Sequence, residues 1–195
     1  MIANQNLHID EAKETLAMHP KKFALWLFIV SIVMLFAALT SAYIVKQSDG
    51  NWLSFKLPGI FAVNTVIIAI SSLTMHLAYV AAKKDALGKV KWMLSITVVL
   101  GLLFLVGQYI SWSELVKNDV YFVSNYASAS FIYVFTGLHG VHLISGIIFL
   151  LIAFRSSLKS EIHSKKLVQI EMCMTYWHFL GGLWLYLYLF LLFNL

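Results

Sequence analysis

Five stretches of this chain, Phe23–Val45, Leu57–Ala82, Trp92–Trp112, Ala127–Phe154 and Met172–Phe193, contain no Asp, Glu, Lys or Arg. Even the shortest makes a helix about 31 Å long at 1.5 Å per residue, enough to cross a hydrocarbon core of about 30 Å. The whole chain is 61% hydrophobic and 12% charged, with a mean hydropathy of +0.82. An average soluble domain is about 45–50% apolar and about 25% charged. A soluble fold of this size has too little interior to hide so much apolar surface, and intrinsic disorder requires the opposite composition. Membrane β-strands would read as alternating segments of about ten residues. With no water in the hydrocarbon to satisfy the backbone, helices are the remaining solution. The expectation is an all-α integral membrane bundle of five transmembrane helices. Its spans lie at about 23–45, 57–82, 92–112, 127–154 and 172–193, and a polar tail, 1–22, precedes one domain, 23–195.

The net charge of +5 sits entirely in the tail, the loops and the ends of the runs, so it implies no nucleic-acid partner. Its distribution gives an orientation, because cytoplasmic loops carry the excess of Lys and Arg. Lys13, Lys21, Lys22, Lys83, Lys84, Lys89, Lys91, Arg155, Lys159, Lys165 and Lys166 fall on one side; Lys46, Lys56 and Lys117 fall on the other. The N-terminus is expected inside and the C-terminus outside. Trp26, Tyr79, Trp92 and Trp177 near inner ends, and Tyr43, Tyr109, Trp112, Tyr126, Tyr186 and Tyr188 near outer ends, suit the two interfaces. Asp10–Met18 is expected to form a short interfacial helix. A cleaved signal peptide is not expected: residues 1–22 are polar and the first run is too long for an h-region, although Ala38–Ala42 is small enough to resemble a cleavage site. The single cysteine, Cys173, cannot form an internal disulfide.

Ionisable groups inside a span invite a functional reading. Four histidines qualify: His76, His139, His142 and His178. His139 and His142, three apart, share a helix face and could hold a metal; His142 and His178, on different helices, could hold a haem; all four could instead hydrogen-bond across helices. No clear carboxylate or thiolate completes a transition-metal site. On the last helix Glu171, Thr175, His178 and Gly182 share a face. Glu171 there either complements the helix N-terminus or forms part of a buried Glu–His network. Ala37 with Ser41, and Ala38 with Ala42, make a smooth strip for close helix approach, and Gly137, Gly140 and Gly181–Gly182 suggest the same. No phosphate loop, nucleophile elbow or HExxH is present. No proline interrupts a span, which disfavours a small transporter built on broken helices.

Phe135-Thr136-Gly137-Leu138-His139-Gly140-Val141-His142, followed by Gly146, resembles the signature helix of subunit III of haem–copper terminal oxidases. Glu171, then Tyr176-Trp177-His178-Phe179, then Trp184, is similar to that family's final helix. Gly107-Gln108-Tyr109, the polar 111–127 loop, Asn64-Thr65 and Ser71-Ser72 extend the likeness over roughly 21–193. The match is to the short bacterial form, whose five helices are the last five of seven in longer members. The resemblance implies an accessory subunit without a redox centre, in the bacterial inner membrane. It would pack against a catalytic subunit I that holds haems and copper, with subunit II handling electron entry. Phospholipids, and other respiratory complexes, are further implied partners. Implied roles are assembly, lipid binding, support of proton uptake and protection during turnover, in a cytochrome c oxidase or alternatively a quinol oxidase. The structural or lipid-contacting candidates are His76, Gln108, His139, His142, Glu171, Trp177 and His178. Ile32 stands where many relatives have a glutamate, which argues against a proton path inside this chain. A haem-binding cytochrome using His142 and His178 is the reading from another class.

Overall fold

The computed structural model describes residues 20–48, 50, 52, 55–123, 126–158 and 167–195. The tail, with the helix expected at Asp10–Met18, lies outside the described residues. Five helices account for nearly all the rest: α1 (Pro20–Gln47), α2 (Ile60–Lys83), α3 (Leu87–Lys117), α4 (Ala127–Leu158) and α5 (Val168–Asn194). Each is long and apolar enough to cross a membrane.

Most helices run beyond their uncharged cores, because leaving the hydrocarbon does not end a helix; backbone geometry does. Two aspartates end α2 and α3. Asp85 (φ 52°) and Asp119 (φ 58°) adopt the left-handed conformation, which short polar side chains tolerate. In the turn after α2, Ala86 N–H reaches back to the Ala81 carbonyl at 3.0 Å and Asp85 N–H to Ala82 at 3.2 Å. After α3, Val120 N–H bonds Leu115 at 3.0 Å and Asp119 N–H bonds Val116 at 3.2 Å. Both are Schellman closures, with aspartate where glycine is usual.

The α2–α3 hairpin is the most extensive pairing; α3 packs on α4, α4 on α5 and α5 on α2, so these four close a ring. α1 stands outside the ring and, among the described helices, packs on α4 and α5 alone. Its buried residues, Ile29, Ile32, Phe36, Thr40 and Tyr43, follow the three-then-four spacing of a single helix seam. Polar bonds clasp that seam. Tyr43 Oη and Gln47 Nε2 both donate to the Asn194 carbonyl at 3.0 Å, and Tyr186 Oη donates to Thr40 Oγ1 at 3.2 Å. The Ala37/Ser41 and Ala38/Ala42 strip, expected to admit another backbone, is exposed; among the described residues no helix lies on it.

The close approaches fall on other glycines than expected. A Cβ on Gly101 would stand 2.8 Å from Trp177 Cη2, one on Gly146 would stand 2.7 Å from Leu180 Cδ1, and Gly107 lies directly against the Asn64 amide. Gly140 and Gly182 have open space, and Gly137 and Gly181 only ordinary contacts. Flanking a histidine does not place a glycine in a seam; its angular position on the helix does. Outside, large apolar side chains such as Met34 (68% exposed) and Leu73 (60%) face outward, as lipid requires.

Candidate functional site

Polar side chains inside a span must find partners on neighbouring helices, and here they form a ladder along the α2–α5 seam. The two helices run antiparallel, so rising residues on one meet falling residues on the other. Trp184 Nε1–H donates to Thr65 Oγ1 at 3.1 Å. One step along, Trp177 Nε1–H donates to Ser71 Oγ at 3.0 Å. Beside it, His178 Nδ1 and Ser72 Oγ share a short hydrogen bond. Trp177 and Trp184 are fully buried, so each indole supplies a large apolar body and one satisfied donor. His76, one turn beyond Ser72, is exposed, its ring centre 6.1 Å from that of His178.

Deeper in the ring lie three polar groups without hydrogen-bond partners among the described residues: both amide atoms of Asn64, both of Gln108 and both nitrogens of His139. His139 is fully buried between Phe104 (5.8 Å, edge-on) and Trp184 (5.1 Å). Gly107, next to Gln108 on α3, lies directly against the Asn64 amide. Sequence reasoning selected Gln108 and His139 but gave Asn64 no role beyond the motif; its position beside Gly107 becomes visible only when α2 and α3 are paired.

His142 belongs to another neighbourhood. Its Nδ1–H donates to the Leu138 carbonyl at 2.7 Å, and its ring meets Phe36 (5.9 Å) and Phe28 (6.5 Å) of α1. Tyr176 Oη pairs with Ser145 Oγ at 2.7 Å on the same side. His139 therefore faces the ring interior while His142 faces α1, so the i,i+3 pair does not converge on a common ligand position. His178, on α5, turns its ring to Ser72 of α2, a helix that α1 does not touch, so His142 and His178 do not flank a shared space for a haem. Among the described residues, no three His, Cys, Asp or Glu side chains cluster as a metal set would.

For Glu171 the structure decides between the two readings. The residue is not part of a buried Glu–His network: its side chain is 36% exposed and accepts a 2.8 Å hydrogen bond from Lys22 Nζ, joining the first turns of α1 and α5. Thr175 turns its hydroxyl back to the Glu171 carbonyl at 3.0 Å rather than forward to His178. A half-exposed ion pair of this kind contributes at most about 1 kcal/mol. Lys22, in the tail of the sequence reading, was missed because nothing local marks a partner 149 residues away.

The site is thus a set of inter-helix fasteners, not a convergent pocket. Comparison with known proteins matches residues 5–194 to the family described as cytochrome c oxidase subunit III. The chain is 30% identical to a "Cytochrome c oxidase subunit 3" of Thermostichus vulcanus, over 92% of this chain and 89% of the relative. It is 31% identical to one of Synechocystis sp., over 88% and 75%. A "Cytochrome bo(3) ubiquinol oxidase subunit 3" of Buchnera aphidicola is 27% identical, over 93% and 97%.

Proposed function

The chain belongs to the cytochrome c oxidase subunit III family, and from that premise we propose that it is the non-catalytic scaffold of its oxidase complex. It is a multi-pass membrane subunit of a haem–copper oxidase, an oxidoreductase assembled from several subunits. On our reading it holds no redox centre: haems and copper belong to subunit I, and electrons enter through subunit II. It sits in a bacterial inner membrane with the N-terminus inside, as the lysine asymmetry requires. Its tail precedes one helical domain, whose bound the sequence reading put at residue 23 and whose first helix starts at Pro20.

The observation that carries this reading is where the polar groups are spent. Trp177, Trp184 and His178 fasten α5 to α2, and Lys22–Glu171 and the Asn194 clasp hold α1 to α5. Acidic groups able to relay a proton across the bilayer are missing from the uncharged cores of the spans, where Ile32 is one of the residues present. On this reading His76, exposed on α2, and the half-exposed Glu171 contact a partner subunit or a lipid headgroup. Gln108, His139, His142 and Trp177 act through the shape of the bundle. Relatives carry both cytochrome c and ubiquinol oxidase names, so the donor is assigned by assaying the complex with each.

The test is a tagged chain purified in mild detergent, with subunits identified, spectra recorded and oxygen consumption and proton release followed. The catalytic subunit should co-purify, and the separated chain should show no haem band. Complexes carrying Glu171→Gln or His178→Ala should retain less of this chain; those that keep it should start at near-normal rates of oxygen reduction and pumping, then lose activity faster over many turnovers. Stoichiometric haem in the separated chain, or immediate loss of pumping in an intact Glu171→Gln complex, would refute the scaffold account.

A further inference from the structure

The turn joining α2 to α3 builds a small amphiphilic cavity that none of the fasteners uses. Its volume is about 220 Å³, with Leu77, Val80, Ala81 and Met93 as an apolar floor and Lys84 and Lys89 at its rim. The Schellman closure at Asp85 makes this geometry: it ends α2 at Lys83 and starts α3 at Leu87, so that Lys84 and Lys89 line one opening from opposite sides of the turn. The stretch 83–91 holds four lysines against one acid, Asp85, leaving an excess of positive charge. Lys83 is occupied over the Tyr79 ring, 4.6 Å from its centre.

Depth fixes what can enter. Trp92 is 70% exposed at the start of α3, and an exposed indole marks the membrane–water boundary. Lys84 and Lys89 therefore lie at headgroup level, and the apolar floor lies on the hydrocarbon side of them. From the floor, Leu77 (44% exposed) and Leu73 (60% exposed) continue as an apolar track one turn at a time along the outside of α2. A cationic rim above an apolar floor and track matches a molecule with an anionic head and a fatty tail.

We propose that this cavity is a binding site for an anionic phospholipid, its phosphate held between Lys84 and Lys89 and one acyl chain laid over Leu77 and Leu73. The occupant is a bilayer lipid rather than free phosphate, because only a lipid covers the floor and the track as well as the rim. The site is remote from the polar candidates of the family motifs and does not rest on their role in the oxidase.

Native mass spectrometry of the full chain, purified with whatever subunits accompany it, tests this with phosphatidylglycerol as probe and phosphatidylcholine of the same acyl chains as control. The wild-type protein should retain phosphatidylglycerol in preference. Each lysine near a charged lipid contributes about a fivefold factor in affinity, so Lys84→Gln with Lys89→Gln should weaken retention roughly 25-fold, to the phosphatidylcholine level. Lys46→Gln with Lys56→Gln removes the same charge at the opposite end of the bundle and should leave the preference intact. An equal loss in that control would reduce the effect to net charge and overturn the site. So would competition of inorganic phosphate for the lipid at stoichiometric levels, or a double variant that sheds partner subunits while keeping its lipid. All four lysines are exposed, and helical circular dichroism checks that each double variant remains folded.

Discussion

Replacing Gly101 by alanine probes the contact that the Trp177 indole of α5 makes with α3 across the ring. The new Cβ would stand 2.8 Å from Trp177 Cη2 and 3.3 Å from Cζ2. Comfortable carbon–carbon contact begins near about 3.5 Å, so about 0.7 Å must be found. The indole has little room to supply it. Its Nε1–H is tied to Ser71 Oγ at 3.0 Å, and its opposite edge lies over Gly146, where even a methyl would be 3.5 Å from Cε3 and Cζ3. Overpacking a filled core costs about 1–3 kcal/mol. Alanine in place of glycine within a helix returns about 0.8–1 kcal/mol. The net loss for Gly101→Ala should therefore be roughly 0–2 kcal/mol. The decisive measurement is a double-mutant cycle. Trp177→Phe removes the ring that carries Cη2, so Gly101→Ala in that background should become stabilising by up to about 1 kcal/mol, a reversal of sign. Stability is read by titrating the full chain from mild detergent into dodecyl sulfate and following helical circular dichroism. The same cost in both backgrounds would show that the Trp177 contact does not set the α3–α5 distance.

Gln108→Met keeps the side-chain length while deleting an amide that is 3% exposed and has no partner among the described residues. An unsatisfied buried amide costs about 1–3 kcal/mol, so the variant should be as stable as wild type or more so in the same titration; a clear loss would mean the amide is bonded in the membrane. Single cysteines at Ser48 and Ala86 test orientation: in intact cells an impermeant thiol reagent should label the first and not the second, and the reverse pattern would invert the topology.

Local composition alone determined that this chain crosses a membrane five times, because transfer of a helix into hydrocarbon depends on the residues of that segment and little else. The order of motifs along α4 and α5, from Phe135 to Trp184, was equally local and identified the family. The partners of the polar groups were not. Helices that are apolar all round carry no stripe to say which face turns inward, so His139 and His142, three residues apart, gave no sign that one would be caged by Phe104 and Trp184 and the other pressed on α1. The same uniformity hid Gly101, Gly107 and Gly146 among the chain's glycines and left the exposed Ala37–Ala42 strip looking like an internal seam. Glu171 found Lys22 only once α1 was laid alongside α5. Insertion depends on each helix separately, whereas the rotation of one helix against another depends on side-chain shape and hydrogen bonds across the seam, contacts that exist only in the assembled bundle.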